Sequence, residues 1–344
     1  MERDIPKIFD LETYGYPIDE SLIAKKPLKE RDLSRLLVYN RQTGEIEHSI
    51  FRDLPRYLNR GDVLVLNDTR VIKARLRGRL GESEVEVFFT RRIDDRTFEG
   101  IGRPLRKFRK GTVIEVGDLE LEVIGVQPGK RIYRVHGVDD IMELLEKYGE
   151  VPLPPYIERE AEEEDEEDYQ TVYAREEGSV AAPTAGLHFT RELLDRLQDK
   201  GVEVVYITLH VGPGTFKPVK TRDIREHKLD AEYYRIPDGT ARSILRAKEE
   251  GRRVVAVGTT VVRTLEWWRL DERPRKGWTD LFIHPPYKFR VVDALITNFH
   301  LPYSTLYMLV AAFVGDVEET RRIYMEAMKK RYRFYSYGDA MLIL

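Results

Sequence analysis

The sequence predicts an α/β main domain carrying an inserted small all-β barrel domain. Three observations lead there. Residues 61–136 hold short, partly alternating apolar runs separated by Gly-, Asp- or Pro-containing turns, the texture of a small barrel. From about residue 170 apolar strands alternate with helix-length stretches, which argues for a sheet with helices packed on it. Residues 1–60 show no core of their own and are expected to pack on the C-terminal part. The expected domains are therefore 1–60 with 150–344, and an insert at 61–149.

In chain order, Leu36 to Tyr39 reads as one short strand in a turn-rich segment. Barrel strands are expected at 62–66, 71–77, 84–89, 97–101, 112–116, 119–126 and 131–136, closed by a helix over roughly 139–148. The segment VPLPPYI at 151–157 reads as a stiff extended connector. Residues 158–168 follow as a solvated acidic loop. Thr190 is placed to cap a helix that ends at Gly201. Residues 202–211, dense in β-branched side chains, read as a strand. A helix near 240–250 stops at Gly251. Residues 253–257 form a strand that enters a helix reaching about 269. Strands near 280–284 and 291–297 lead to helices at about 304–314 and 317–331.

Composition narrows the function. Of 344 residues 42% are apolar, enough for a sizeable core, which excludes a disordered tail protein. The longest apolar run, Leu306 to Val314, is too short to span a bilayer. Met1 opens into Glu2, Arg3 and Asp4, without a signal-peptide pattern, so a cytoplasmic protein with no membrane partner is expected. The chain has no cysteine, which removes disulfides, thiolate nucleophiles and iron–sulfur clusters. The net charge of −3 hides an uneven distribution. Residues 158–168 hold nine acids and one base, whereas residues 70–110 hold thirteen Lys/Arg against six Asp/Glu. A basic field beside a separate acidic run suits a nucleic-acid partner.

Five polar segments follow or end apolar strands. In the first, Thr69, Arg70 and Arg75 are suited to holding phosphate or carboxylate, with Asp68 beside them to bridge to a nucleotide; an Asx turn with surface arginines is the plain alternative. In the second, Pro183, Thr184 and Gly186 permit close backbone approach, and His188 stands just ahead of a helix start. The third offers His210, Gly212, Gly214 and Thr215. It resembles a dinucleotide fingerprint only superficially, because Lys217 replaces the third glycine and Pro218 opposes an immediate helix. The fourth places Gly258, Thr259, Thr260 and Arg263 at a helix start, where a carboxylate or hydroxyls bind, or where ordinary capping suffices. The fifth contributes Asn298, able to read a base edge, and His300. No H-E-x-x-H pairing supports a metal, so His188, His210 and His300 read as acid–base candidates, with core histidines as the alternative. Arg103, Arg106, Lys107, Arg109 and Lys110 around Phe108 suit phosphate contact or a solvated hairpin.

Together the segments resemble the S-adenosylmethionine:tRNA ribosyltransferase-isomerase family over nearly the whole chain. They are FDL at 9–11, ERDLSRLLV at 30–38, GDVLVLNDTRVIKARL at 61–76, VPLPPYI at 151–157, YQTVYA at 169–174 and GSVAAPTAGLHFT at 178–190. LHVGPGTF at 209–216, VGTTVVRTLE at 257–266, DALITNFHLP at 293–302 and RFYSYGDAMLI at 333–343 complete the set. The chain departs from the family pattern at Asp168, Trp278, Pro286 and Tyr303. The resemblance implies a β-barrel inserted into an α/β domain. It implies transfer and isomerisation of the ribosyl unit of S-adenosylmethionine onto 7-aminomethyl-7-deazaguanine at the tRNA wobble position, giving epoxyqueuosine, adenine and methionine. S-adenosylmethionine is then a co-substrate, no cofactor or metal is implied, tRNA is the partner, and a monomer is expected. Tyr169 and Gln170 join the substrate-binding candidates on this ground. Two rival functions stay open: an RNA methyltransferase using the same sulfonium donor, and a noncatalytic tRNA-binding protein.

Overall fold

In a computed structural model of the chain, the strand Val63–Asn67 lies near the middle of a nine-stranded sheet, fully buried, and not in the barrel to which its sequence neighbours belong. The structure describes residues 5–216 and 219–344, without the side chains of Pro155, Thr215 and Phe216. Contacts divide the chain into two units. One takes in Met1–Thr69, Thr171–Arg175 and Pro183–Leu344; the other takes in Arg70–Gln170 and Glu176–Ala182. The expected limits of 61 and 149 therefore shift to about 70 and 182. The four apolar residues of VLVLN suit a central strand covered on both faces, which sequence texture alone does not distinguish from a barrel strand.

The sheet of the first unit runs in the order Lys276–Thr279, Glu232–Arg235, Glu203–Leu209, Val63–Asn67, Val254–Val257, Ala294–Asn298, Ala340–Ile343, Arg35–Tyr39 and Ile46–Ile50. The four strands from Glu203–Leu209 to Ala294–Asn298 are mutually parallel. Their neighbours on either side are antiparallel to them, so the sheet is mixed. The N-terminal strand Arg35–Tyr39 pairs in parallel with Ala340–Ile343, which ties the first segment to the last. The strand expected near 280–284 lies earlier, at Lys276–Thr279.

Helices begin where caps are available. The Thr190 hydroxyl accepts from Leu193 N at 3.1 Å and starts Arg191–Asp199. The Ser304 hydroxyl accepts from Tyr307 N at 3.1 Å and starts Thr305–Val314. That helix is buried from Tyr307 to Phe313, as its unbroken apolar run requires. Leu193, Leu194 and Leu197 of the earlier helix pack with Leu64, Leu66, Val255 and Ile296 of the sheet.

In the second unit six antiparallel strands close on themselves: Arg75–Leu80, Ser83–Arg92, Thr97–Arg103, Lys130–His136, Leu119–Gln127 and Val113–Val116, the last pairing back to the first. Alternate side chains, among them Leu76, Val85, Val87, Phe98, Leu121, Val123 and Tyr133, fill the interior. The helix Ile141–Tyr148 adds Ile141, Leu144 and Leu145 to that core.

The acidic run is more ordered than a solvated loop. Asp165, 1% exposed, accepts from both terminal nitrogens of Arg159 at 2.6 and 2.7 Å. Glu160 pairs with Arg75 and Arg77, and Glu166 with Lys73. The acids thus lie against the basic strand of their own unit and neutralise much of it.

Candidate active site

The four parallel strands end on one edge of the sheet, at Asn67, Leu209, Val257 and Asn298. Four of the five polar segments singled out in the sequence therefore emerge side by side, where ligands bind in open α/β sheets. Geometry at this edge is set by Asn67. Its Oδ1 accepts from Leu209 N at 3.0 Å and from Thr69 N at 3.2 Å. Its Nδ2 donates to Leu209 O at 3.0 Å and to the Thr260 hydroxyl at 3.3 Å. One buried amide thus joins three strand ends, and the Asx turn expected here is part of that junction. Asn67 was legible only as a turn residue, because its long-range partners are invisible in sequence.

Around this junction, Asp68 is 4% exposed and accepts from the Thr208 hydroxyl at 2.7 Å and from Arg175 at 2.9 Å. The Thr69 hydroxyl lies 2.8 Å from His210 Nδ1. The His210 ring stacks on Tyr233, with centroids 5.8 Å apart and planes at 21°. Tyr233 in turn meets the half-exposed Trp278 edge-on at 5.7 Å. His210 is thereby fixed in plane from two sides.

Gly212 N donates to Glu232 Oε1 at 2.9 Å, and Glu232 Oε2 is ion-paired to Arg263, each partner 4% exposed. Arg263 Nε is buried without a partner. Thr259 and Thr260 are also buried, behind Gly258, whose φ of +89° opens the helix Thr259–Trp268 in a backbone conformation that favours glycine. Glu232 and Tyr233 were missed in sequence. In the short edge strand EYYR a buried carboxylate looks no different from a solvated one.

His188 belongs to a second cluster. Its Nδ1 is 2.7 Å from the Ser34 hydroxyl, which donates to Arg31 O at 2.9 Å. Its Nε2 is 3.2 Å from Asn298 Nδ2. An amide nitrogen only donates, so Nε2 is the acceptor and Nδ1 carries the proton. Asn298 also donates to Tyr335 O at 3.1 Å and accepts from the Thr184 hydroxyl at 3.2 Å, so its amide is spent on protein partners. Pro183 O accepts from Gly186 N at 2.8 Å, and a Cβ at Gly186 would overlap the Tyr173 hydroxyl. A Cβ at Gly214 would meet the Asp230 carboxylate at 2.5 Å. The side chain of Thr215 lies outside the described residues.

Burial, with the charges of Arg333 and Arg31, pushes the His188 imidazole down to about 3. Desolvation does the same to His300, also to about 3. His300 Nε2 is 2.8 Å from the Thr297 hydroxyl, and its backbone is held by Tyr16 and Tyr324. Both imidazoles are neutral at pH 7. On unfolding each recovers an ordinary value near 6.5, so stability is fully present above about pH 6.5 and falls as the pH drops toward 3. Urea midpoints measured across that window should therefore fall less steeply in His188→Gln than in the parent. Parallel curves would contradict the assignment.

The remaining candidates lie in the barrel unit. Arg70 Nε is 3.9 Å from Glu177, and both line a pocket of about 100 Å³ with Lys73, Glu166 and Gln170. The Gln170 amide is bonded both ways to the Val71 backbone, at 2.8 and 3.0 Å. Arg75 is committed to Glu86, Glu150 and Glu160. Tyr169 is fully buried. Among the described residues no three His, Cys, Asp or Glu side chains gather as a metal site, and no helix is long and apolar enough to cross a membrane.

A family model described as queuosine biosynthesis protein matches residues 11–343. The chain is 52% identical over 337 residues to the S-adenosylmethionine:tRNA ribosyltransferase-isomerase of Sulfurihydrogenibium sp. strain YO3AOP1, covering 97% of this chain and 99% of the relative. It is 51% identical to the enzyme of the same name from Carboxydothermus hydrogenoformans, with the same coverage. A crystal structure of S-adenosylmethionine tRNA ribosyltransferase from Thermotoga maritima is similar with a TM-score of 0.56 and 39% identity, covering 96% of this chain and all of that one. The chain belongs to the queuosine biosynthesis protein family.

Proposed function

We infer that the chain transfers and isomerises the ribosyl moiety of S-adenosylmethionine onto 7-aminomethyl-7-deazaguanine at the wobble position of tRNA, releasing adenine and methionine. The observation that carries this reading is family membership over residues 11–343. The chemistry agrees with the residue types at the sheet edge. The sulfonium acidifies the neighbouring C5′–H, so one general base begins the elimination, and an acid assists adenine departure. His210 suits the base role best. Its plane is held by Thr69 and Tyr233, whereas His188 and His300 are too weakly basic and serve to position neighbours. Asp68, Thr259, Thr260 and Arg263 are assigned to orienting the ribosyl and methionyl parts. The test is incubation with S-adenosylmethionine and tRNA bearing the 7-aminomethyl base, followed by chromatography. Free adenine should appear in step with a heavier wobble nucleoside. S-adenosylhomocysteine without adenine would replace this reading with methyl transfer.

The tRNA contact is assigned to Arg103, Arg106, Lys107, Arg109 and Lys110. Of the thirteen cations in 70–110, Arg70, Lys73, Arg75, Arg77, Arg91, Arg92 and Arg96 are paired to acids of their own unit. Arg79 and the five exposed cations of 103–110 remain, the five on a segment shaped by buried Phe108 and by Arg131, which donates to the Leu105 and Phe108 carbonyls. Replacing Arg106, Lys107 and Lys110 together by Ala should weaken tRNA binding and reduce the salt slope by about 2. An unchanged slope in filter binding would remove this footprint.

A further inference from the structure

Segments 30–38 and 333–343 take no part in the reaction outlined above, yet the fold of the first unit brings them together. Arg31, Ser34, His188, Arg333 and Ser336 line a pocket that opens to solvent, and no carboxylate lines it. Ser34, His188 and Ser336 are all at least 96% buried. Arg333 Nη2 donates to Lys26 O at 2.5 Å and Tyr337 O at 2.9 Å, which fixes the guanidinium plane. Its Nη1 is buried and has no partner. A buried guanidinium N–H without an acceptor is costly to maintain unless something else supplies the acceptor. The nearby carboxylate of Asp339 is occupied by the backbone N–H groups of Arg35 and Arg333.

We propose that this pocket seats the anionic headgroup of a substrate, a carboxylate or phosphate, between Arg31 and Arg333. Its interior of about 20 Å³ exceeds the roughly 10–15 Å³ that one water needs, so it takes the tip of a headgroup and leaves the rest of the ligand outside. A planar guanidinium with a free N–H is suited to such an oxygen pair, and Ser336 lines the same pocket. Which substrate supplies the anion rests on the ribosyl-transfer reading: the methionyl carboxylate of S-adenosylmethionine or a phosphate of the tRNA.

The pocket itself is tested without turnover. Inorganic phosphate titrated into the parent chain, Arg31→Met and Arg333→Lys should raise Tm saturably in the parent alone. The same non-saturating rise in all three overturns the proposal. Arg31 is partly exposed on a short turn, so Arg31→Met decides the matter if Arg333→Lys does not fold. Steady-state assays then identify the source. A KM for S-adenosylmethionine raised about ten- to a hundredfold, with tRNA affinity unchanged, assigns the carboxylate, and the converse assigns the phosphate. Folded variants with both unchanged would overturn a substrate role. If the parent releases no adenine, the reaction reading fails, while the phosphate titration still decides the pocket.

Discussion

Alanine at His210 should slow adenine release by roughly a hundredfold or more while the protein stays folded, because a positioned base contributes about that much to proton transfer. The imidazole is at the end of Glu203–Leu209, on the edge where Asn67, Val257 and Asn298 also end. Removing it leaves the Asn67 junction intact, so the loss should fall on the chemical step and not on S-adenosylmethionine binding. Thr69→Val, which removes the hydroxyl beside Nδ1, should have the same sign and a smaller size. His188→Ala should behave differently. Its loss frees the Asn298 amide and the Ser34 hydroxyl, so stability falls together with rate. Unchanged single-turnover rates in folded His210→Ala would remove His210 as the base.

The second large effect concerns stability. Glu232→Leu should cost about 3–5 kcal/mol, because it strands the Arg263 charge inside the protein. It also removes the acceptor of Gly212 N. Adding Arg263→Met should restore most of that stability, since a buried ion pair contributes little over well-packed apolar side chains. Activity should not return with it, because Arg263 and the Gly212 loop belong to the proposed site. Urea unfolding at pH 7 checks both variants. A single mutant as stable as the parent would show that the pair is not closed off from water.

The elements were legible where local chemistry is decisive. Thr190 caps its helix as its position suggests, and Leu306 to Val314 fall within one buried helix. The alternation in 61–136 reads as a small barrel, and from Arg75–Leu80 onward six strands do close on themselves, because they are covered on one face and wetted on the other. Val63–Asn67 misled for the opposite reason. A strand buried on both faces carries no alternation to show which sheet it enters. The acidic run misled because like charges in sequence read as solvated, although Asp165 is buried against Arg159.

The same division holds for the site. The absence of cysteine and the family itself stand in the residues, since each depends on residue type and order along the chain. Other features depend on pairings between residues far apart in sequence. Asn67 meets Leu209 and Thr260 across about 140 and 190 residues, and His188 meets Ser34 across 154. Arg263 finds Glu232, and Arg333 arrives beside Arg31, only through the order of the strands. Burial and partner together decide whether a histidine is a base or a positioning group, or a cation a spent ion pair or a binding residue. Those two quantities exist only once the chain has closed on itself.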